Sequence, residues 1–173
     1  LYPEGITAEN AEEILAKFDV IVDASDNFPT RYLLSDTCMK LGKPDVYGAI
    51  CEFAGQVTVF ASDGPCLRCL CPEAKDPSGN PNSAAYGVLG VIPGMIGCMQ
   101  AAEVLKLLLG KGEALIGKML FIDAKTWSTD LIEVPVHPQC SCHAHTKVHV
   151  KTVLKIDIWN NLFTSQEKND KIN

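Results

Sequence analysis

Apolar positions along the first half of the chain change period several times, and each change marks an element. Ala11, Ile14, Leu15 and Phe18 recur at helical spacing. Thr7 is placed to cap that helix, Glu12 and Glu13 fall in its first turns, and it should end near Lys17. Residues 18–23 form a short β-branched run of the kind found in buried parallel strands, and it opens into the polar Ala24, Ser25, Asp26 and Asn27. Pro29 then suits the first turn of a helix running to about Leu41, with Gly42 as its stop. Strand, polar strand end and helix make half of a βαβ unit.

Residues 45–52 and 55–60 read as two strands joined through Glu52, Phe53, Ala54 and Gly55 in a hairpin or bulged turn. Residues 71–86 are rich in Pro, Ser, Asn, Gly and Ala without periodicity, which predicts an exposed loop of functional length. A helix over residues 94–109 is closed by Gly110, and residues 118–124 and 129–136 predict two more strands. After residue 146, Val148, Val150, Leu154, Ile156 and Ile158 alternate with His149, Lys151, Lys155 and Asp157, which predicts one extra strand before a polar tail beyond Asn160. The expected fold class is therefore α/β, a Rossmann-like mixed sheet with helices on its faces.

Composition narrows the function. In 173 residues, 47% hydrophobic and 21% charged residues suit one domain with a sizeable core rather than a disordered chain. Fifteen basic against 21 acidic residues give a net charge of −6 without a basic stripe, which argues against nucleic acid as a partner. The apolar stretches around 88–99 and 104–109 are interrupted by Gly, Pro, Gln100, Glu103 and Lys106 short of the ~20 residues of a membrane span, so no membrane partner is expected. The opening Leu1-Tyr2-Pro3-Glu4-Gly5 resembles neither a start nor a signal segment and reads as the middle of a longer chain.

Eight cysteines are present. Cys38, Cys51, Cys71 and Cys98 are scattered, whereas Cys66-Leu67-Arg68-Cys69 and Cys140-Ser141-Cys142-His143 form two close groups about 70 residues apart. Two such knuckles can converge on one tetrahedral Zn²⁺ with four protein ligands and no open position, which is structural chemistry of an intracellular, reducing compartment, here the cytoplasm. Packing alone does not explain a Cys-x-x-Cys turn directly after Gly64-Pro65. Cys66, Cys69 and Cys140 are candidate ligands, and the fourth is either Cys142 or His143. Thiolates dominate structural sites, which favours Cys142; the three-residue step from Cys140 to His143 leaves the alternative open.

The acidic strand end carries the other candidate chemistry. Ligands of open α/β sheets sit at C-terminal strand ends, where Asp26 can hold Mg²⁺ beside a nucleotide and Asn27 can bond backbone or ligand. Both residue types are also common loop and cap formers. Arg31 could meet phosphate, but its spacing favours covering the helix surface.

Read in order, residues 19–31 (Asp-Val-Ile-Val-Asp-Ala-Ser-Asp-Asn-Phe-Pro-Thr-Arg), 42–49, 55–60, 64–70 and 87–97, with Gln100-Ala-Ala-Glu103 and Lys106 to Gly110, resemble the ThiF/MoeB/HesA family over roughly residues 1–143. The resemblance implies a partial adenylation domain over 1–145, with 146–173 an additional strand and polar tail. It also implies ATP-dependent adenylation of the C-terminal glycine of a ubiquitin-like sulfur-carrier protein of the ThiS or MoaD kind. Asp26 would be the catalytic, ATP–Mg²⁺-side carboxylate, with Asn27 beside the nucleotide and Cys66, Cys69, Cys140 and Cys142 on a structural zinc. A homodimer and an external sulfur donor, a cysteine desulfurase or rhodanese, are implied as partners, in molybdopterin or thiamine biosynthesis.

The family's Gly-rich nucleotide loop would precede Leu1, so the sheet is expected to be incomplete at the N-terminus and the chain alone inactive. Ser83 stands where many relatives carry a loop cysteine, which implies transfer from the acyl-adenylate without a covalent intermediate there. A non-catalytic, zinc-stabilised carrier-binding or dimerisation module is the competing reading. A Rossmann-type oxidoreductase has no place for the knuckles or for the hairpin through Gln56, Val57 and Thr58.

Overall fold

The computed structural model describes residues 1–72 and 87–143. The predicted loop over 71–86, Ser83 and the expected strand and tail over 146–173 therefore lie largely or wholly outside the described residues. Among the described residues, five strands form one mixed sheet in sequence order: β1 (Ile21–Asp23), β2 (Asp45–Cys51), β3 (Ala54–Phe60), β4 (Lys118–Asp123) and β5 (Ser128–Glu133). β1 runs parallel to β2, and the remaining neighbours are antiparallel. Helices α1 (Ala11–Leu15), α2 (Phe28–Leu41) and α3 (Leu67–Leu70) lie on one face, and α4 (Val91–Leu109) packs against β2 and β3 on the other.

Register assigns the faces. Tyr47 pairs with Thr58 and Asp45 with Phe60, so these side chains share the α2 face, where Tyr32, Tyr47, Phe60 and Leu67 pack together. Val46, Gly48, Ile50, Val57 and Val59 face the other way, where Val57 packs with Ile92 and Ile96. β2 and β3 are therefore covered on both faces, as the central strands of a mixed sheet require.

Several boundaries differ from expectation. Thr7 does not cap α1: its backbone N–H donates to Asn10 Oδ1 at 2.8 Å, and Asn10 is the residue at the cap. Phe18 falls after the helix and is exposed, and β1 begins only at Ile21, because pairing with β2 starts at Ile21–Asp45. Val22, expected to be buried, is 48% exposed at this sheet edge. α2 follows its signals: Asn27 Oδ1 accepts the Thr30 N–H at 2.9 Å, Pro29 sits in the first turn, and Gly42 takes φ 65°, a left-handed cap that costs glycine nothing. β5 stops at Glu133, short of the expected residue 136.

The expected interruptions of the apolar stretch do not break α4, which runs unbroken for 19 residues and is long and apolar enough to cross a membrane by length and composition. Pro93 is accommodated in its first turn. Its polar residues show a different use. Gln100 and Glu103 are buried, with Gln100 Nε2 donating to the carbonyls of Asp23 at 2.8 Å and Val46 at 2.9 Å, and Glu103 Oε2 accepting the Leu115 N–H at 2.8 Å. α4 is bonded to the sheet as a core helix. The close approach depends on Gly48: a Cβ there would come within 2.5 Å of the Gln100 amide.

Candidate functional site

The C-terminal end of β1 is a held turn with one carboxylate left outside. Asp23 is fully buried and its Oδ1 accepts the Ser25 N–H at 2.8 Å, folding the chain back as soon as the strand ends. Asn27 then spends its amide on the protein: Oδ1 caps α2, and Nδ2 donates to Asp26 Oδ1 at 3.2 Å. Asp26 is exposed, with its second oxygen turned to no group among the described residues. One fixed, solvent-facing carboxylate at a strand end fits Mg²⁺, which binds through one or two carboxylates and otherwise through phosphate and water.

What holds this turn is Arg31, for which the sequence favoured a place on the helix surface. Instead it is only 8% exposed. Its Nε and Nη2 donate to the Ser25 carbonyl at 3.3 and 2.9 Å, and its Nη1 donates to Tyr47 Oη at 3.0 Å. The guanidinium also lies over the Tyr47 and Phe28 rings, with 5.2 and 5.7 Å to the centroids. Tyr47 Oη accepts a second bond from Gln56 Nε2 at 3.2 Å. Burial pushes the Tyr47 hydroxyl up to about 12, against the lowering effect of Arg31, so it stays a neutral phenol. Gln56, Tyr47, Arg31 and Ser25 thus tie the turn bearing Asp26 to the β2–β3 hairpin.

Beneath the turn, Asp23 Oδ2, Ser25 Oγ and both Asp45 carboxylate oxygens are buried without hydrogen-bond partners among the described residues. Burial first, and the neighbouring Asp23 second, push Asp45 well above the ordinary carboxylate range.

The two cysteine knuckles converge beside the middle of α2. The ligand atoms of Cys66, Cys69, Cys140 and His143 all lie within 4.8 Å of one another. Sγ–Sγ distances are 3.8 Å for Cys66–Cys69 and 3.5 Å for Cys66–Cys140. Zn–S bonds of ~2.3 Å in a tetrahedron require sulfurs about 3.8 Å apart, so the spacing fits the ion. The donor set fits too: His143 is buried, and neither ring nitrogen has a hydrogen-bond partner among the described residues. Hydrogen bonding from Cys66 is the largest influence drawing Cys69 down to about 5, while the same bond and burial push Cys66 up.

Cys142 is placed differently. Its Sγ donates to Asp36 Oδ1 at 3.5 Å, with the Cys66 thiol close by, and burial followed by the Asp36 charge pushes it up to about 11. Asp36 also receives Nε and Nη2 of Arg68 at 2.8 and 2.7 Å, and that guanidinium stacks over Tyr32 at 4.8 Å. Ser35 Oγ accepts the Leu67 N–H at 3.1 Å, and Tyr32 Oη donates to the Cys71 carbonyl at 2.7 Å. Consecutive turns of α2 therefore grip the first knuckle. All eight cysteines are thiols.

The sequence pointed to Asp26, Asn27 and the cysteines but missed Arg31, Tyr47 and Gln100 as positioning residues. The available signal was polarity inside apolar segments: Gln100 within a helix of Val, Ile, Met and Leu has to bond something when buried.

Comparison with known proteins follows the same lines. The family described as ThiF family matches residues 1–144. The chain is 52% identical over 135 residues to the SAMP-activating enzyme E1 of Haloferax volcanii, covering 78% of this chain and 50% of that protein. It is 49% identical over 145 residues to the sulfur carrier protein adenylyltransferase of Thermus thermophilus, covering 80% and 54%. In structure it resembles E. coli MccB with ATP at a TM-score of 0.65 and 14% identity, covering 80% of this chain and 43% of that one, a likeness of fold. The chain thus spans about half the length of the curated relatives it matches.

Proposed function

Because the chain belongs to the ThiF family, we propose that it forms part of an adenylyltransferase acting on the C-terminal glycine of a ubiquitin-like sulfur-carrier protein. The observation that carries this reading is Asp26, a single exposed carboxylate at the end of β1, positioned by Asn27 and by the buried Arg31 clamp. Identity of 49% to a relative named sulfur carrier protein adenylyltransferase, and of 52% to one named SAMP-activating enzyme E1, supports it.

In the reaction, a carrier carboxylate oxygen attacks the α-phosphate of ATP. The new bond is the P–O of an acyl-adenylate, the α–β phosphoanhydride bond breaks, and pyrophosphate leaves. Mg²⁺, when bound, supplies charge neutralisation on the phosphates. Asp26 would hold it, while Asn27 fixes the Asp26 rotamer and Arg31 fixes the backbone beneath, so that the turn needs no reorganisation on approach of the nucleotide.

The further partners of this reading are a second copy of the chain and a cysteine desulfurase or rhodanese as sulfur donor. The setting is the cytoplasm, and the pathway molybdopterin or thiamine biosynthesis. A structural Zn²⁺ belongs to it as well, held by Cys66, Cys69, Cys140 and one residue of the 142–143 pair, linking the segment after β3 to the segment after β5. Carrier-dependent exchange of labelled pyrophosphate into ATP, measured on the protein expressed from its complete gene, tests the proposal. Asp26→Ala should lower the exchange rate by about 10²-fold or more, the loss typical of one electrostatic group at a reacting centre. An Asp26→Ala protein exchanging at the original rate would remove Asp26 from the site.

A further inference from the structure

We propose that the fourth ligand of the knuckle site is His143, giving three thiolates and one imidazole, and that Asp36 holds Cys142 outside the coordination shell. This rests on the zinc part of the reading above. Three independent observations carry it.

The first is backbone geometry. Cys69 N–H donates to the Cys66 carbonyl at 2.9 Å, and His143 N–H donates to the Cys140 carbonyl at 3.1 Å. Both knuckles are thus the same i to i+3 turn, and the second is a 3₁₀ turn over Ser141–His143. With three residues per turn, positions i and i+3 stand on one face, while i+2 points about two-thirds of a turn away. His143 therefore occupies in the second knuckle the place that Cys69 occupies in the first, and Cys142 does not.

The second is satisfaction. A buried imidazole with both nitrogens unpartnered among the described residues is expensive to keep, and placing the lone pair of one of them on a metal removes the larger part of that nitrogen's cost, leaving only the other N–H to be satisfied. The third is that Cys142 already has a partner, the Asp36 carboxylate, itself pinned by two bonds from Arg68. Moving Cys142 onto the ion would separate it from that carboxylate. It would also exchange a site of net charge −1 for one of −2, the costlier charge in a half-buried setting.

The experiment uses the chain loaded with Zn²⁺ and, separately, with Co²⁺, whose sulfur-to-metal charge-transfer absorbance scales with the number of thiolates. Zinc-edge X-ray absorption should count three sulfurs at about 2.3 Å and one nitrogen at about 2.0 Å. Cys142→Ser should keep one metal per chain and the original cobalt absorbance. His143→Cys should raise that absorbance by about a third, and His143→Ala should weaken zinc binding by at least about tenfold.

Four sulfurs in the absorption spectrum, or a Cys142→Ser chain whose cobalt band drops by about a quarter with weakened binding, would overturn the assignment while leaving the zinc site standing. No metal retained by the unsubstituted chain would overturn both. The absorption measurement needs no variant, so a misfolded His143→Ala chain does not weaken the test.

Discussion

Replacing Arg31 by Met keeps much of the side-chain volume and removes the guanidinium that ties the Asp26 turn to the hairpin. Three hydrogen bonds vanish, two to the Ser25 carbonyl and one to Tyr47 Oη, together with stacking on two rings. A bond to a charged donor contributes about 1.5–3 kcal/mol, and the Nε and Nη2 bonds share one acceptor, so they count as one strong interaction rather than two. The Tyr47 hydroxyl keeps Gln56 as a donor and loses less. The expected destabilisation is about 2–4 kcal/mol, or a fall in Tm of about 5–12 °C for a chain of this size. Arg31→Lys keeps the charge but cannot bridge Ser25 and Tyr47 as a planar fork, and should fall between. In a double-mutant cycle with Tyr47→Phe, the Arg31–Tyr47 bond should appear as a coupling of about 1 kcal/mol. Thermal melts followed by circular dichroism provide the measurement. An Arg31→Met chain melting within a degree of the original, or zero coupling to Tyr47, would show that the clamp does not bear on the turn.

Asp45 makes stability depend on pH. Its folded pKa is raised above the unfolded value by burial and by Asp23, so its cost is absent below about pH 4, where both states are protonated, and grows as pH rises toward the folded pKa. Asp45→Asn should therefore gain stability relative to the original chain as pH rises from 4 to 7, read from urea midpoints; parallel curves for the two proteins would contradict this. Gly48→Ala places a methyl within 2.5 Å of the Gln100 amide and drives it off the Asp23 and Val46 carbonyls. A loss of about 2–3 kcal/mol is expected from two orphaned buried acceptors, and a change below about 0.5 kcal/mol by chemical denaturation would refute that account.

Local signals were legible in the sequence where one residue decides the outcome. Asn27, Pro29 and Gly42 delimit α2 because a cap, a fixed φ and a left-handed stop act within a few residues. The β2–β3 hairpin was legible because its two strand-like runs are joined by only a few residues. What depended on a distant partner was not legible. β1 shrinks to three residues because pairing with β2 begins only at Ile21, which no pattern within residues 18–23 encodes. Thr7 lost the cap to Asn10, and Arg31 was drawn inward by Tyr47, sixteen residues along on the strand that α2 faces. At the knuckle, spacing brought Cys66, Cys69 and Cys140 into view and left Cys142 and His143 open, because Asp36, 106 residues away, is what draws the Cys142 thiol. Candidate chemistry was readable as residue type; the supports around it were not.

α2 touches both sites. Its first residues follow Asp26 and contain Arg31, while Tyr32, Ser35 and Asp36 engage the first knuckle and the Cys142 thiol. At 1.5 Å per residue its 14 residues span about 21 Å, and the knuckle contacts begin only one residue after Arg31. Amide exchange along this cylinder should therefore not divide into a nucleotide half and a metal half. If α2 opens as one cooperative unit and the knuckles hold zinc as proposed, stripping that metal should speed exchange at Thr30 and Arg31 as well as at Asp36, so that the Asp26 turn would depend on a site it does not touch.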